Sequence, residues 1–530
     1  MAAGWLLLYG VNAYWLTAVR NQRNVAQRLL EASMKNSAAY APERDKELVA
    51  TALGRLRWNK PQILPAFQGD LHIPEAHEQR DLPIVTVQLP IFNERYVARR
   101  LIDAICLLDY PRDRLYIQVL DDSTDDTQTL LQETVKEYQN QGIWVEYIHR
   151  TNRSGFKAGA LQAAMPLVQG DYIAIFDADF VPSPDWLRRT IVHYCEHPNE
   201  RIAVVQTRWG HLNSEYSLLT KLQSAGIDGH FAIEQQARCQ NGYFLNFNGT
   251  AGIWSKQAIL DSGGWHADTL AEDMDLSYRA QLKGWRVVYD NDIVAPAELP
   301  VAMAAFKLQQ FRWAKGSIQC AKKLLVPIWS SEHSLAIKFQ STLHLTGYSV
   351  HPLMLLLILI SVPLMLITPH ELQNLRSLID VFWATFMLPA TFGPPYLYFV
   401  AQRQLYPATW RRRFGRILLL AILGTGISWS NTRAVFAGLF NTGANFRRTP
   451  KFDIKYRSDR WDNKAYKVPL DTSVAIELSL CAYSFLAVVI SASHGFYITL
   501  PFMVLYTLSY GYVGGLTLWQ TWQQNHQIKR

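Results

Sequence analysis

The chain has 530 residues, more than a single domain normally holds, with 49% hydrophobic residues and a formal charge of +8. Its cysteines, Cys106, Cys195, Cys239, Cys320 and Cys481, are scattered without metal-ligand spacing, which excludes a disulfide scaffold and a zinc module. The basic residues cluster beside apolar runs, so membrane-flanking loops account for the charge better than nucleic-acid binding, and no zinc-finger, RNA-recognition or tandem-repeat signature is present.

Residues 4–19 are apolar and uncharged, and region 1–20 reads as a short transmembrane helix. A signal peptide would carry its basic segment first, whereas Arg20, Arg23 and Arg28 come afterwards; the positive-inside rule puts the N-terminus outside and the chain beyond residue 20 in the cytoplasm. Residues 21–80 are a polar cytoplasmic linker. Region 81–335 is a cytoplasmic α/β domain with interfacial helices at its end. Strands are expected at 84–89, stopped by Pro90, then at 115–120, 143–148 and 172–176. Helices are expected after Asn93-Glu94 to about Leu108, from near Asp125 behind a Ser123 cap, and over 155–167. This alternation predicts a largely parallel sheet with ligands at the carboxyl ends of its strands.

Acids stand at those ends. The strand 172–176 leads into Asp177 and Asp179, and Pro182 and Pro184 prevent its continuation. Unpaired buried carboxylates are costly, but Mg²⁺ or Mn²⁺ wants hard oxygen ligands and substrate phosphates. The strand 115–120 ends likewise in Asp121 and Asp122. Further along, Asn248-Gly249-Thr250-Ala251-Gly252 offers a small loop that a ligand can approach closely, with a tight turn as the equal alternative. Glu272-Asp273 stands before an amphipathic helix, either complementing its dipole or supplying a base for a hydroxyl. In Gln309-Gln310-Phe311-Arg312-Trp313, Trp313 suits a sugar face and Arg312 a diphosphate, and the same helix suits a membrane interface.

Region 336–530 reads as membrane, with apolar runs at 352–367, 381–400, 470–492 and 496–519. Basic residues make the loop after 400 and the stretch 441–468 cytoplasmic, which leaves 417–440 too short to cross twice; it is expected as an interfacial or re-entrant segment. Glu477 falls inside an apolar run and should face the bundle interior.

The ordered set Asn93-Glu94, Asp121-Asp122, Asp177-Ala178-Asp179, Glu272-Asp273 and Gln309…Arg312-Trp313 resembles the membrane-embedded processive family-2 glycosyltransferases, the group of cellulose, mannan and hyaluronan synthases. Within it, VLDDSTD, GFKAGAL, FDADF, FNGTAGIW, EDMDLSYRA and QQFRWAKG are most similar to the plant cellulose-synthase-like mannan and xyloglucan-backbone synthases and their bacterial relatives. The resemblance implies a Rossmann-like A-type glycosyltransferase domain inserted in an α-helical transmembrane region. It implies nucleotide-sugar binding by Asn93, Glu94, Asp121, Asp122, Lys157 and Asp177, and a Mg²⁺ or Mn²⁺ ion on Asp177 and Asp179. Asp273 would be the general base, with Glu272 beside it. Gln309, Gln310, Arg312, Trp313 and Thr250 would hold the acceptor end and the diphosphate. Phe446, Thr449 and Lys451 match a gating-loop pattern within 441–468. Ala271 departs from the family, which usually has a small hydroxyl residue there, and no regulatory domain is expected after the last span. The implied partners are UDP-glucose or GDP-mannose, a growing glycan or lipid acceptor, and membrane lipids. The implied activity is inverting synthesis and translocation of a β-linked polysaccharide of glucan or mannan type; the alternatives are a glycolipid synthase and a non-catalytic nucleotide-binding transporter or receptor.

Overall fold

The computed structural model describes residues 2–37, 82–367, 377, 381, 383–440, 448–466 and 471–527, the side chains of 2, 3, 23–37, 383 and 527 excepted. Most of the linker, Phe446 and the rest of 441–447, and 467–470 lie outside the described residues. The elements of the first half are α1 (Ala2–Ser37), β1 (Val85–Ile91), α2 (Ala98–Cys106), β2 (Leu115–Asp121), α3 (Thr127–Asn140), β3 (Val145–His149), α4 (Phe156–Ala164), β4 (Tyr172–Ile175), α5 (Trp186–Glu196), β5 (Ile202–His211), α6 (Leu218–Gly229), a π-helical turn (His230–Gln235) and α7 (Gln236–Gln240). Then come β6 (Gly252–Ser255), α8 (Lys256–Asp261), α9 (Glu272–Leu282), β7 (Arg286–Ala297), α10 (Met303–Ser330), α11 (Leu335–Leu345), α12 (Val350–Ile367), α13 (Leu388–Leu405), α14 (Trp410–Gly426), α15 (Ser428–Phe440), α16 (Val474–Ser493) and α17 (Leu500–Gln527).

The sheet has the order β3-β2-β1-β4-β6-β5-β7. Its pairs are parallel except those made by β6, which is antiparallel to both β4 and β5. The chain enters β6 from the 248–251 loop beside Asp177, so it starts at the edge that carries the acids and must run back through the sheet. Helices cover both faces. Leu101, Ile102 and Ile105 pack with Val87, Leu89, Ile117 and Val119 on one side; Leu161, Phe247 and Trp254 pack with Ile173 and Ile175 on the other. Covered on both faces, β1 and β2 bury Gln88 and Gln118 among their apolar residues, and Gln88 Nε2 donates to Gln118 Oε1 at 3.0 Å. β1 does not stop at Pro90 but runs to Ile91, whose carbonyl accepts from Asp122 N–H at 3.0 Å; proline removes a donor, not an acceptor.

The later helices pack on this domain and on α1. A Cβ at Gly10 would lie 2.5 Å from the Cα of Ala390, so α1 and α13 cross backbone to backbone. Tyr9 OH donates to Thr346 O at 2.9 Å, and Gln340 Nε2 to Asn12 Oδ1 at 2.8 Å. Region 417–440 is not one segment: α14 ends at Gly426 and α15 starts at Ser428. Two helical stretches among the described residues, Gly347–Ile367 and Val474–Ser493, are long and apolar enough to cross a membrane. Glu477 is fully buried and accepts from Lys307 Nζ of α10 at 2.9 Å, with Asp471 at 2.5 Å from the same ammonium.

Candidate active site

The DxD acids stand just past β4, and each has an ammonium on it. Asp177 N–H donates to Thr250 Oγ1 at 2.9 Å, which fixes the Asn248–Gly252 loop beside the strand end. Lys157 Nζ donates to Asp177 Oδ1 at 2.5 Å and to Gly249 O at 2.7 Å. Lys451 Nζ donates to Asp179 Oδ2 at 2.6 Å and to the carbonyl of Glu298. Desolvation holds the Asp177 carboxyl above the usual range, against the attraction of Lys157. Each acid thus meets a lysine through one oxygen, and the pair together presents hard oxygen donors of the kind Mg²⁺ and Mn²⁺ take, so these residues fit such a cation.

Asp273 opens α9 one residue after Glu272. Ala271 stands at the N-cap and supplies no side-chain cap; Gly316 of α10 presses on it, since a Cβ at 316 would come within 2.8 Å of the Ala271 Cβ. Asp273 Oδ1 accepts from Met274 N–H at 2.8 Å. Its Oδ2 faces Gly249, where φ is +85° and a Cβ would stand 3.0 Å away, so glycine is required there for conformation and for room. Burial raises both the Glu272 and Asp273 carboxyls, and the neighbouring Glu272 charge raises Asp273 further. From α10, Arg312 Nη2 donates to Thr449 Oγ1 at 3.0 Å. Desolvation lowers the Arg312 guanidinium, opposed by Asp177, Glu272, Glu94 and Asp179. Trp313 lies 6.4 Å from Trp209, ring centre to ring centre; Gln309 and Gln310 are half-buried on the same helix.

The acids at the other strand ends are engaged by protein. Asp121 is fully buried and accepts from Ser123 N–H (2.8 Å) and Tyr147 OH (2.6 Å), with His149 Nδ1 at 3.3 Å. Both oxygens of its carboxylate are thus held by protein groups. Asp122 is gripped on both oxygens by Arg150, Nε at 2.8 Å and Nη2 at 2.5 Å. Asn93 adopts φ +52°, accepts from Thr124 N–H at 2.8 Å, and is followed by Glu94, which pairs with Arg448 at 2.7 Å. Burial pushes the Glu94 carboxyl up to about 7, against Arg448.

Residues 448–466 therefore lie across the site. Besides Arg448, Thr449 and Lys451, Phe452 N–H donates to Glu298 Oε1 at 2.9 Å, and Phe452, Ile454 and Trp461 pack on Val301, Ala302 and Ala305. Tyr466 OH donates to Asp125 Oδ2 at 2.7 Å. Arg150, Glu298 and Tyr466 were not singled out from sequence; of these only Arg150 had a signal, its place at the carboxyl end of the third strand. A further acid-rich group, His266, Asp268 and Asp275, has the spacing of metal ligands, but Lys323 Nζ stands among them at 3.1, 2.9 and 2.9 Å.

Residues 83–316 match the family described as Glycosyltransferase like family 2. Over this stretch the chain is similar to the family 2 glycosyltransferases. Glucomannan 4-beta-mannosyltransferase 2 of Arabidopsis thaliana is 42% identical over 284 residues, covering 53% of this chain and 53% of the relative. Glucomannan 4-beta-mannosyltransferase 1 of Oryza sativa subsp. japonica is 44% identical over 250 residues, 46% of this chain and 48% of the relative. The chain thus spans about half the length of the curated relatives it matches. Among solved structures, the mannosyltransferase PcManGT from Pyrobaculum calidifontis, in complex with GDP-Man and Mn²⁺, is 16% identical with a TM-score of 0.45, over 83% of this chain and 99% of that one. In this matched region the acids, Lys157 and Arg312 converge at one edge of the sheet, where the 448–466 segment meets them.

Proposed function

We propose that the chain is a membrane-embedded, inverting glycosyltransferase that builds a β-linked polysaccharide from a nucleotide sugar. The observation that carries this is the convergence of Asp177, Asp179, Asp273, Lys157, Lys451 and Arg312 on one pocket. The acceptor hydroxyl gives its proton to Asp273 as its oxygen bonds to the anomeric carbon. The bond from that carbon to the diphosphate breaks, and the nucleoside diphosphate leaves with the electron pair. Arg312, Lys157 and Lys451 take up the charge that grows on it. A single displacement inverts the centre, so an α-linked donor gives a β-linkage. Asp177 and Asp179 would hold Mg²⁺ or Mn²⁺, which supplies further neutralisation of the diphosphate. The names of the plant relatives support GDP-mannose as donor and a β-1,4-mannan or glucomannan as product.

The membrane part of the reading is supported by the two apolar helical stretches. Leu356, Leu359, Ile360, Leu364 and Leu366 of α12, and Phe485, Leu486 and Val489 of α16, are exposed as lipid-facing residues would be. With 381–400 and 496–519 as further spans, the basic loops and the glycosyltransferase domain face the cytoplasm and the N-terminus lies outside.

The test is incubation of the detergent-purified protein with Mn²⁺ and, separately, GDP-mannose, UDP-glucose and UDP-N-acetylglucosamine. Nucleotide release is followed and the product is sized and cut with linkage-specific hydrolases. A large β-1,4-linked product is expected from GDP-mannose. A single-sugar, organic-extractable product would refute polymer synthesis, and donor binding without turnover would refute catalysis.

A further inference from the structure

The reaction leaves one polar pair unused. The turn His230–Gln235 is π-helical between α6 and α7, and such insertions concentrate at functional sites. Phe231, Ala232, Ile233 and Gln235 of this turn are fully buried. His230 and Glu234, four positions apart, keep 31% and 38% of their side-chain surface open. The turn's apolar residues are thus enclosed while its carboxylate and imidazole form its one partly open face.

The hydrogen bonds fix how the pair is polarised. Gln235 Nε2 donates to Asn248 Oδ1 at 2.7 Å, so the Asn248 amide must turn its Nδ2 toward His230 Nε2, 3.1 Å away. His230 Nε2 then accepts, and Nδ1 carries the hydrogen given to Glu234 Oε2 at 2.9 Å. Desolvation would raise Glu234, but His230 and Arg238 together hold its carboxyl below the usual range. Among the described residues, Glu234 Oε1 accepts no hydrogen bond.

Two neighbours give the opening its direction. Asn248 precedes Gly249, the residue against Asp273. On the other side the aromatic rings run His230–Phe231 (5.1 Å), Phe231–Trp209 (5.1 Å) and Trp209–Trp313 (6.4 Å). Beyond Glu234 stand Tyr398, packed on Gly229, and Tyr348, stacked near His351, whose Nε2 is 2.9 Å from Asn431 Nδ2.

We propose that His230 and Glu234 form a second acceptor subsite, which holds a hydroxyl-bearing pyranose of the glycan between Asp273 and the 347–367 helix. A pyranose combines hydroxyl donors with apolar faces; the open carboxylate oxygen accepts from the former while the Trp313 wall covers the latter. The inference rests on the polysaccharide reading above.

Wild-type protein and the variants Glu234→Ala, Glu234→Gln and His230→Ala are titrated with β-1,4-mannohexaose, with cellohexaose and, separately, with GDP-mannose, following intrinsic tryptophan fluorescence. Hexasaccharide affinity falls about tenfold in Glu234→Ala and recovers in part in Glu234→Gln, while donor affinity stays unchanged. Equal hexasaccharide affinity in all four proteins overturns the subsite, as does a wild type that binds neither hexasaccharide, or a parallel loss of donor affinity that marks a general disturbance of the Asn248 loop. A wild type that binds hexasaccharide through Glu234 yet releases nucleotide from no donor refutes the synthase reading and upholds the subsite.

Discussion

Lys451 donates to Asp179 Oδ2 at 2.6 Å across 272 positions of chain. The ammonium stands where the second acid of the DxD pair would otherwise face a cation. A cation held on Asp179 would compete with Lys451 for this carboxylate, and a displaced Lys451 would be available to neutralise the diphosphate. Lys451→Ala should lower the Mn²⁺ concentration for half-maximal nucleotide release several-fold and cut the rate at saturating Mn²⁺ about tenfold. A Mn²⁺ titration of both proteins measures the two effects; an unchanged half-maximal concentration would show that Lys451 and the metal do not compete.

Asp273→Asn keeps the shape and removes the base. Sugar transfer should fall about 100- to 10,000-fold, the usual range for a lost general base, with donor affinity retained. Single-turnover nucleotide release beside a donor titration separates the two readouts.

The pH profile should carry the signature of a buried base. Desolvation and Glu272 raise the Asp273 carboxyl, so transfer should fail at a pH above the ordinary carboxylate range as acidity protonates it. Stability should run the other way. Glu94 in the folded protein has its carboxyl raised to about 7, so the fold binds a proton that the unfolded chain releases near 4.5. That contribution is fully present below the unfolded value and is lost as pH rises through 7. Thermal midpoints measured from pH 5 to 8 should therefore fall on the alkaline side, and Glu94→Gln should flatten the fall.

Arg150 holds Asp122 by two hydrogen bonds, and through it the rim of the pocket expected to take the nucleotide. Arg150→Ala should raise the KM for the donor about tenfold and leave kcat within about twofold. A change confined to kcat would instead place Arg150 with the reacting groups.

Lys307 is buried with Glu477 and Asp471 around it. Removing one side of such a group bares a charge and costs about 3–5 kcal/mol. Lys307→Met should lower the unfolding midpoint steeply, and combining it with Glu477→Gln should restore part of the loss. Thermal unfolding in detergent checks both.

The legible part of this protein was local. Asp177, Asp179 and Asp273 could be named because each follows a strand or opens a helix within a few residues of a recognisable pattern. Glu298 could not, because it has no partner nearby in sequence: it receives Arg100 at 3.4 Å and Phe452 N–H. Arg448 stood out in the basic stretch 441–468, but its pairing with Glu94, far back in the chain, could not be read. The direction of β6 was equally hidden, since four residues carry no mark of which way they run. Its reversal follows from where the Asn248 loop delivers the chain. Asp121 reads as a ligand-facing acid from its strand-end position, and only the neighbouring strand, with Tyr147 and His149, shows that its carboxylate is enclosed.

The crossing of Gly10 against Ala390 also sets an order of events. During synthesis α1 leaves the ribosome before the sheet, and α13 emerges only after the whole sheet has been made. Because domains fold as units as they emerge, α1 waits for its α13 partner while the sheet and its covering helices mature. A ribosome stalled before residue 388 would therefore hold the complete sheet while α1 still lacks α13 and the pocket still lacks its 448–466 cover.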